Sequence, residues 1–341
     1  MSAAAVRAVH NLSPHSRAPI PRRARRAPTA RRRPLAPSNA NSKGDDDPNP
    51  MGSFPEGGLA ALNQDDLPAM RRACLKVATD AAKLGAAVML DKLGADVVKT
   101  KANARDLLTE VDPEVQRIIE SSVADAFPTH GFLGEESVPG GWEAGSAAIA
   151  RLLDTGPDWL WVVDPIDGTR NFASGQPPFG ILIAQADGGV AQSGWIYDCL
   201  SGRFCAAHRG KGAFVGGERV TAMTTGEDPP VAAISLIFMD DARREAMKAH
   251  ICPHYRLVDI PYCAAEQYPR LALGENDVSI FERTLAWDHA AGVLWLNEAG
   301  GKAARPDGSP YRVDEVGRTG LLGAASPALW VELADLYARF D

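Results

Sequence analysis

A short apolar segment that ends in two carboxylates constrains this chain more than any other feature of its sequence. Residues 161–172 read Trp-Val-Val-Asp-Pro-Ile-Asp-Gly-Thr-Arg-Asn-Phe. The apolar run 159–163 has polar neighbours, which predicts a short buried strand. Asp164 and Asp167 are expected on a turn that follows this strand, where both carboxylates can converge on one point. Pro165 stiffens the path between them.

The residues that follow this pair favour anion binding. Gly168 and Thr169 would present backbone N–H groups at the start of a helix, where negative charge is stabilised. The alternative is a plain turn, because Asp, Pro and Gly are common turn residues. Taken alone, this segment leaves both interpretations open.

Three further acidic segments change that balance. They are Asp106-Leu-Leu-Thr-Glu-Val-Asp112, Gly134-Glu-Glu-Ser137 and Trp287-Asp288-His-Ala-Ala-Gly292. Simpler interpretations exist, since Glu135 and Glu136 can form a solvated loop. Likewise, Asp112 and Asp288 can cap helices. However, acids at the ends of several elements are what Mg²⁺ requires, because it prefers oxygen ligands in octahedral geometry.

The apolar periodicity predicts mixed strands and helices that pack in layers. A first helix is expected to begin near Asp66, with its apolar face formed by Met70, Cys74, Val77, Ala81, Leu84 and Val88. A second is expected after an N-cap at Asp112, burying Val115, Ile118, Ile119 and Val123. Later helices are expected over residues 240–250, 264–273 and 288–300. Strands are expected over residues 159–163, 179–186, 194–197, 231–238 and 278–281, with hairpin turns at the glycines of residues 188–189 and 210–212.

The N-terminal part differs in composition from the rest of the 341-residue chain. Residues 1–44 hold ten of the 36 basic residues and no acidic one, which leaves 26 basic against 43 acidic residues beyond them. An Arg-rich, acid-free leader is typical of an organelle transit peptide. Six prolines from Pro14 to Pro37 would disrupt an amphipathic helix, which favours the chloroplast over the mitochondrion. The alternative is a disordered basic tail that contacts nucleic acid.

Residues 45–65 are rich in Gly, Pro and Asp, which predicts a linker before a folded domain over residues 66–341. No run of about 18 apolar residues occurs, so we expect no membrane span. Five scattered cysteines form no CxxC pair and no zinc spacing, which indicates free thiols.

Other catalytic chemistries find little support in the sequence. It contains no Gly-x-Ser-x-Gly segment, and Gly210-Lys-Gly212 is typical of a hairpin rather than of a phosphate-binding P-loop. The isolated histidines predict no catalytic base, and His289 is expected on the outer turn of its helix.

In order and form, the four acidic segments resemble those of the inositol monophosphatase family. The matching patterns are DLxTxxD, GEES, WVVDPIDGTxNF and WDxAAG, and residues 209–214 and 298–301 also resemble family landmarks. The resemblance covers roughly residues 66–340. It implies a Mg²⁺-dependent phosphomonoesterase with an α/β sandwich fold of alternating helix and sheet layers, commonly a homodimer. The implied partner is a small phosphorylated metabolite rather than a nucleic acid or a membrane.

The resemblance also implies a role for each matching residue. Asp164 would bridge two Mg²⁺ ions, and the other ligands would be Glu135, the carbonyl of Ile166, Asp167 and Asp288. Glu135 and Thr169 would orient the attacking water, and Asp112 would support Thr169. The backbone N–H groups of Gly168 and Thr169 would hold the phosphate. Lys101 would lie near the site, and Glu136 would support the metal ligands from behind.

The sequence does not determine which phosphomonoester is the substrate. Family members specific for inositol carry a hydroxyl-binding Glu seven residues before the Asp of the WD motif, and this chain has Phe281 there with Glu282 next to it. Either Glu282 makes this contact through a shift of one residue, or the contact is absent. Inositol monophosphate leads, with histidinol phosphate, fructose 1,6-bisphosphate and 3′-phosphonucleotides as alternatives. A non-catalytic scaffold protein is the alternative of a different class, against which the intact acids argue.

Overall fold

The structure is a computed structural model that describes residues 69–100, 107–138, 147, 149–152, 159–315 and 317–339. The predicted leader, the predicted linker and the helix start near Asp66 lie outside these residues. Helices within the described part are α1 (Ala69–Asp91), α2 (Val111–Ala126), α3 (Thr169–Ala173), α4 (Asp241–His250), α5 (Ala264–Ala272), α6 (Ala286–Glu298) and α7 (Pro327–Tyr337). None of them is long and apolar enough to cross a membrane.

The larger sheet has seven strands that follow one another in chain order. Strands β1 (Val97–Thr100) and β2 (Leu107–Thr109) form a separate antiparallel pair before it. The seven are β3 (Gly131–Gly134), β4 (Trp159–Asp167), β5 (Gly180–Asp187), β6 (Val190–Asp198), β7 (Phe204–His208), β8 (Gly212–Val215) and β9 (Glu218–Val220). Strands β3 and β4 are parallel, and every later pairing is antiparallel. The predicted hairpin turns at residues 188–189 and 210–212 are confirmed.

The smaller sheet has five strands in the order β11-β10-β12-β14-β13. Its members are β10 (Val231–Ile234), β11 (Arg256–Leu257), β12 (Val278–Phe281), β13 (Lys302–Ala304) and β14 (Leu321–Ala324). The first three strands of that order are parallel, and β14 runs antiparallel to both of its neighbours. Strand β10 was expected to reach residue 238 but ends at Ile234, so residues 235–239 connect it to α4 as a loop.

Helices cover both faces of the larger sheet. Because side chains alternate along a strand, Trp161 and Val163 of β4 face α1 and α2, whereas Leu160 and Val162 face α5 and α6. A sheet buried on both faces needs continuous apolar strands rather than alternating ones. This is why the run at residues 159–163 carries no polar side chain.

Helices α5 and α6 form a central layer between the two sheets. Leu271 and Leu296 share a core with Leu321 of the smaller sheet, whose opposite face packs on α4 and α7 through residues such as Met247 and Leu333. The order is therefore helices, seven-stranded sheet, helices, five-stranded sheet, helices. The predicted fold of alternating helix and sheet layers is confirmed.

Two of the sequence landmarks contact each other. The carboxylate of Glu298, at the end of α6, accepts the backbone N–H groups of Gly210 at 2.7 Å and Gly212 at 2.8 Å. These glycines form the turn between β7 and β8. The contact therefore ties the hairpin of the larger sheet to the central helix layer.

The apolar face of α1 is predicted correctly only in part. Cys74 and Ala81 are buried, but Leu84 is 56% exposed. The buried stripe instead continues through Ala82 and Met89. Small residues on α1 let it lie close to α2, since a Cβ on Gly85 would be 2.8 Å from Cγ1 of Val115.

The start of α2 also differs from the prediction. The helix begins at Val111, and Glu110 occupies the N-cap position without a side-chain cap hydrogen bond. Asp112 lies inside the first turn and is buried. Its Oδ2 accepts the backbone N–H of Thr109 at 3.0 Å and the Thr109 hydroxyl at 2.5 Å. Asp112 thus joins β2 to α2 instead of capping the helix.

Candidate active site

A cavity of about 730 Å³ lies where the end of β4 meets the starts of α3 and α6 and the end of β12. The predicted site residues that line it are Glu135, Asp164, Ile166, Asp167, Gly168, Thr169, Glu282 and Asp288. Three of the four acidic segments therefore meet at one cavity, and Asp112 of the fourth reaches Thr169 from behind. Lys101 lies outside the described residues.

An irregularity in β4 brings its two carboxylates to one side. Asp164 pairs with Leu182 of β5 and Asp167 with Gly180, so three steps along β4 oppose two steps along β5. In a regular strand, residues three apart face opposite sides, and one extra residue in a bulge reverses this. The turn predicted after Asp164 is thus a bulged continuation of the strand. It achieves the convergence that the turn was expected to provide.

Asp167 is buried and tightly held. Its Oδ2 accepts the backbone N–H of Ala265 at 2.5 Å, and the Cys263 thiol lies 3.1 Å away. Burial raises the pKa of Asp167 to about 6, hydrogen bonds from Ala265 and Cys263 oppose this rise, and the negative charge of Glu135 adds to it. A carboxylate in these surroundings gains most from a nearby cation. Asp164 is likewise buried, and its Oδ1 accepts the backbone N–H of Ile166 at 3.0 Å.

Gly168 and Thr169 form the corner between β4 and α3. Gly168 has a φ of 84°, and a Cβ there would lie 2.9 Å from the carbonyl oxygen of Pro178, so only glycine fits. The Thr169 hydroxyl lies 2.8 Å from the carbonyl oxygen of Ile166 and 3.4 Å from Oδ1 of Asp112. The carboxylate of Asp112 therefore lies within reach of the Thr169 hydroxyl, although the contact of this hydroxyl with Ile166 is the shorter one.

Gln116 of α2 supports the turn that carries Glu135 and Glu136. Its Oε1 accepts the backbone N–H of Glu136 at 2.8 Å, and its Nε2 donates to the Ser137 hydroxyl at 2.8 Å. A Cβ on Gly134 would lie 2.1 Å from the Gln116 oxygen, so the glycine makes room for this support. The sequence reasoning missed Gln116. A polar residue on the otherwise apolar face of α2 was the available signal.

Asp288 lies on the third residue of α6, which begins at Ala286 rather than at Asp288 itself. The next residue, His289, is buried instead of lying on the outer turn, so that prediction is wrong. Its Nε2 is 3.0 Å from the carbonyl oxygen of Arg283, which can only accept, so Nε2 carries the proton. Its Nδ1 then accepts the hydroxyl of Tyr268 at 2.7 Å. Burial lowers the pKa of His289 to about 3, which keeps the ring neutral.

The residues at the predicted substrate contact have protein partners. The ring of Phe281 stacks on that of Tyr268, with centroids 5.3 Å apart. Glu282 forms an ion pair with Arg243, in which Nε and Oε2 are 3.2 Å apart, and Arg243 also contacts the hydroxyl of Tyr337. Glu282 thus lines the cavity with its charge compensated by an arginine of α4.

Asn171 of α3 is a further residue that the sequence reasoning missed. Its Nδ2 donates to the carbonyl oxygens of Pro178 at 2.7 Å and Pro261 at 3.0 Å. It therefore fixes the loop that leads to Cys263 and Ala265, the two residues that contact Asp167. Nothing in the spacing of the chain indicates that residues 171 and 261 meet.

The donor set of this cavity fits a hard cation. The carboxylates of Glu135, Asp164, Asp167 and Asp288 and the carbonyl of Ile166 line it, and all are oxygen ligands of the kind that Mg²⁺ prefers. The described residues contain no group of three Asp, Glu, His or Cys side chains that is already gathered to hold a metal ion. Carboxylates repel one another, and a bound cation is what would draw them into a tighter set.

A model of the inositol monophosphatase family matches residues 70–338 of the chain. The chain belongs to the inositol monophosphatase family. Relatives include an inositol-1-monophosphatase of Bacillus subtilis, 30% identical over 63% of this chain and 78% of the relative. A fructose-1,6-bisphosphatase/inositol-1-monophosphatase of Thermotoga maritima is 29% identical over 64% of this chain and 79% of the relative.

The solved structures support the same fold. An inositol monophosphatase from Zymomonas mobilis superposes with a TM-score of 0.65 over 80% of this chain and 100% of its own, at 20% identity. As an inositol monophosphatase family member, the chain is a phosphoric monoester hydrolase, and its family is generally metal-dependent. The non-catalytic scaffold alternative is therefore set aside.

Proposed function

We propose that the protein is a Mg²⁺-dependent phosphomonoesterase that hydrolyses a small phosphorylated metabolite at this cavity. The observation that carries the proposal is the bulge of β4, which turns Asp164 and Asp167 to the same side of the strand. Glu135 and Asp288 line the same cavity from two other elements. Four acids from three separate segments of the chain have no structural need to share one cavity, whereas a site for hard cations does need them together.

Each residue of the site has a task in this proposal. When bound, Mg²⁺ would supply charge that activates the attacking water and neutralises the phosphoryl oxygens and the leaving oxygen. Asp164, Asp167, Glu135, Asp288 and the Ile166 carbonyl would hold it. Thr169 and Glu135 would orient the water, and Asp112 would orient the Thr169 hydroxyl. The backbone N–H groups of Gly168 and Thr169 would bind phosphate oxygens.

Asp164→Asn tests this assignment most directly. Asn keeps the size and the hydrogen bond acceptor for the Ile166 N–H but removes the central negative charge. We expect phosphate release to fall by about a thousandfold or more, which corresponds to roughly 4 kcal/mol of transition-state stabilisation. The wild type in EDTA should lose its activity and regain it with added Mg²⁺. Undiminished turnover in the variant or in EDTA would refute the site.

The substrate belongs to this proposal as well. Inositol monophosphate is the first compound to test, since relatives carry its name. The name of the Thermotoga maritima relative adds fructose 1,6-bisphosphate. Histidinol phosphate and 3′-phosphonucleotides complete the panel. Phosphate release from each, with and without Mg²⁺, ranks them.

Further proposals concern the oligomeric state, the partners and the cellular location of the protein. We propose a homodimer in the chloroplast, with the mitochondrion as the alternative, and neither nucleic acid nor membrane as a partner. The acid-free, Arg-rich composition of residues 1–44 supports import into an organelle. Fractionation of cells that express the tagged full chain tests the localisation, and light scattering of the purified protein tests the dimer.

A further inference from the structure

The wall of the cavity that comes from the five-stranded sheet carries a basic side chain. Arg283 and Phe238 line the cavity together with Asp164 and Asp288. We propose that Arg283 binds a second anionic group, a phosphate or a carboxylate, on the leaving part of the substrate. The enzyme would then prefer phosphomonoesters whose alcohol carries such a group over those whose alcohol is neutral. This inference rests on the proposed function and specifies its substrate class.

The side chain of Arg283 is oriented by an aromatic ring. Its guanidinium carbon lies 4.0 Å from the centre of the Phe238 ring. Stacking occupies the face of the guanidinium, whereas hydrogen bonds to an oxyanion form in its plane. A stacked guanidinium loses less conformational freedom when it binds an anion, because its plane is already set.

The backbone of Arg283 is attached to the helix that carries Asp288. The carbonyl oxygen of Arg283 accepts the Nε2–H of His289 at 3.0 Å, and His289 is held in turn by the hydroxyl of Tyr268. The anion-binding group and the acidic end of the cavity therefore belong to one rigid unit. A fixed distance between them selects substrates by length as well as by charge.

The acidic residue next to Arg283 is compensated by a different arginine. Glu282 pairs with Arg243, and its side chain is only 11% exposed. Its negative charge therefore contributes little repulsion to an anionic substrate at this end. By contrast, the carboxylates of β4 would be neutralised by Mg²⁺. One anionic group of the substrate would then be bound at the metal, and the other by Arg283.

The cavity provides a matched control. Arg170 of α3 also lines it, but it lies on the helix that follows β4 and is exposed. If any positive charge at the cavity attracted anionic substrates through the general field, Arg170 and Arg283 would contribute alike. If Arg283 makes a specific contact, only its replacement changes the choice of substrate.

The test compares two pairs of substrates in the presence of Mg²⁺. Glycerol 2-phosphate and 2-phosphoglycerate differ by a carboxylate, and fructose 1-phosphate and fructose 1,6-bisphosphate differ by a second phosphate. For the wild type we expect a higher kcat/KM for the charged member of at least one pair, and the responding pair identifies the anion. Inositol monophosphate should rank below that compound.

The variants R283Q, R283K and R170Q then assign the preference. In R283Q the kcat/KM ratio within the responding pair should fall about 10- to 100-fold, mainly through KM, which is typical of a lost charge-assisted bidentate contact. R283K should keep part of the ratio because it keeps the charge, and R170Q should leave the ratio as it is. A thermal unfolding curve verifies that each variant folds. If R283Q does not fold, the kcat/KM ratio of R283K tests the inference instead.

Different results would overturn different statements. If R283Q slows both members of each pair equally, or leaves the ratio unchanged, Arg283 is not the specificity residue. If R170Q removes the preference to the same extent, the effect is a general field and the inference is wrong. If no phosphomonoester is hydrolysed with Mg²⁺ by the wild type, the proposed function itself fails, and the inference fails with it.

Discussion

Asn171 offers a sharp test of how the fold supports the candidate site. Its two hydrogen bonds, to the carbonyl oxygens of Pro178 and Pro261, join α3 to the loop before α5. Asn171→Leu removes both donors at nearly the same volume. Each bond contributes about 1 kcal/mol net, and a buried carbonyl left without a donor costs about 1–3 kcal/mol. Asn171 is half-buried, so water can reach part of the space, and we expect unfolding free energy to fall by about 2–3 kcal/mol.

A second effect of this variant should appear in metal activation. The loop released from Asn171 leads to Cys263 and to Ala265 at the start of α5, which hold Oδ2 of Asp167. A less ordered Asp167 must be positioned when the cation binds, so the Mg²⁺ concentration for half-maximal activity should rise about tenfold, equivalent to roughly 1.4 kcal/mol. Urea unfolding measures the first effect, and phosphate release against Mg²⁺ concentration measures the second.

The control for Asn171→Leu is Ser174→Ala, at the C-cap of the same helix. The Ser174 hydroxyl is exposed and donates to the carbonyl oxygen of Arg170 one turn back. Its loss should change stability by no more than about 0.5 kcal/mol. If Asn171→Leu changes neither the unfolding free energy beyond this control nor the Mg²⁺ requirement, the two hydrogen bonds do not support the site.

Two further predictions concern packing away from the cavity. Glu298→Leu removes the acceptor for the Gly210 and Gly212 N–H groups and should lower unfolding free energy by about 1–3 kcal/mol, measured in urea, while kcat stays within about twofold; a large loss of kcat with unchanged stability would contradict a structural role. Gly194→Ala places a Cβ 2.9 Å from the carbonyl oxygen of Ala291, where β6 packs on α6, and should cost about 1–3 kcal/mol by overpacking; a variant with the wild-type melting temperature would show that α6 can shift away.

Those parts of the fold that depend on local pattern could be predicted from the sequence. The strand at residues 278–281 and the turns around Gly188 and Gly210 required only apolar runs and glycines. The choice of face on α1 failed because that helix is rich in alanine on several sides. Its buried side is decided by contact with α2, which is not a local property. The cap at Asp112 failed for a related reason, since a partner in β2 binds its carboxylate instead.

The candidate site also contains residues that could be predicted from the sequence and residues that could not. Acids at element ends could be found along the chain, because each sits beside a recognisable strand or helix. The residues that orient them could not, since Gln116 and Asn171 act on partners 20 and 90 residues away. His289 was expected outside because its neighbour Asp288 was taken as the first residue of the helix. The helix lies in the layer between the two sheets and is buried on nearly every side, so His289 is buried as well.

The layered arrangement separates the two tasks of the cavity between different parts of the chain. The carboxylates of β4 come from the seven-stranded sheet, whereas the wall with Arg283 and Phe238 comes from the end of β12 and the loop after β10 in the five-stranded sheet. Mutations in that second wall can therefore alter which alcohol is accepted without disturbing the reactive groups. A gene duplicate of this enzyme could acquire a new metabolite through a few replacements there, and its catalytic apparatus would be inherited intact.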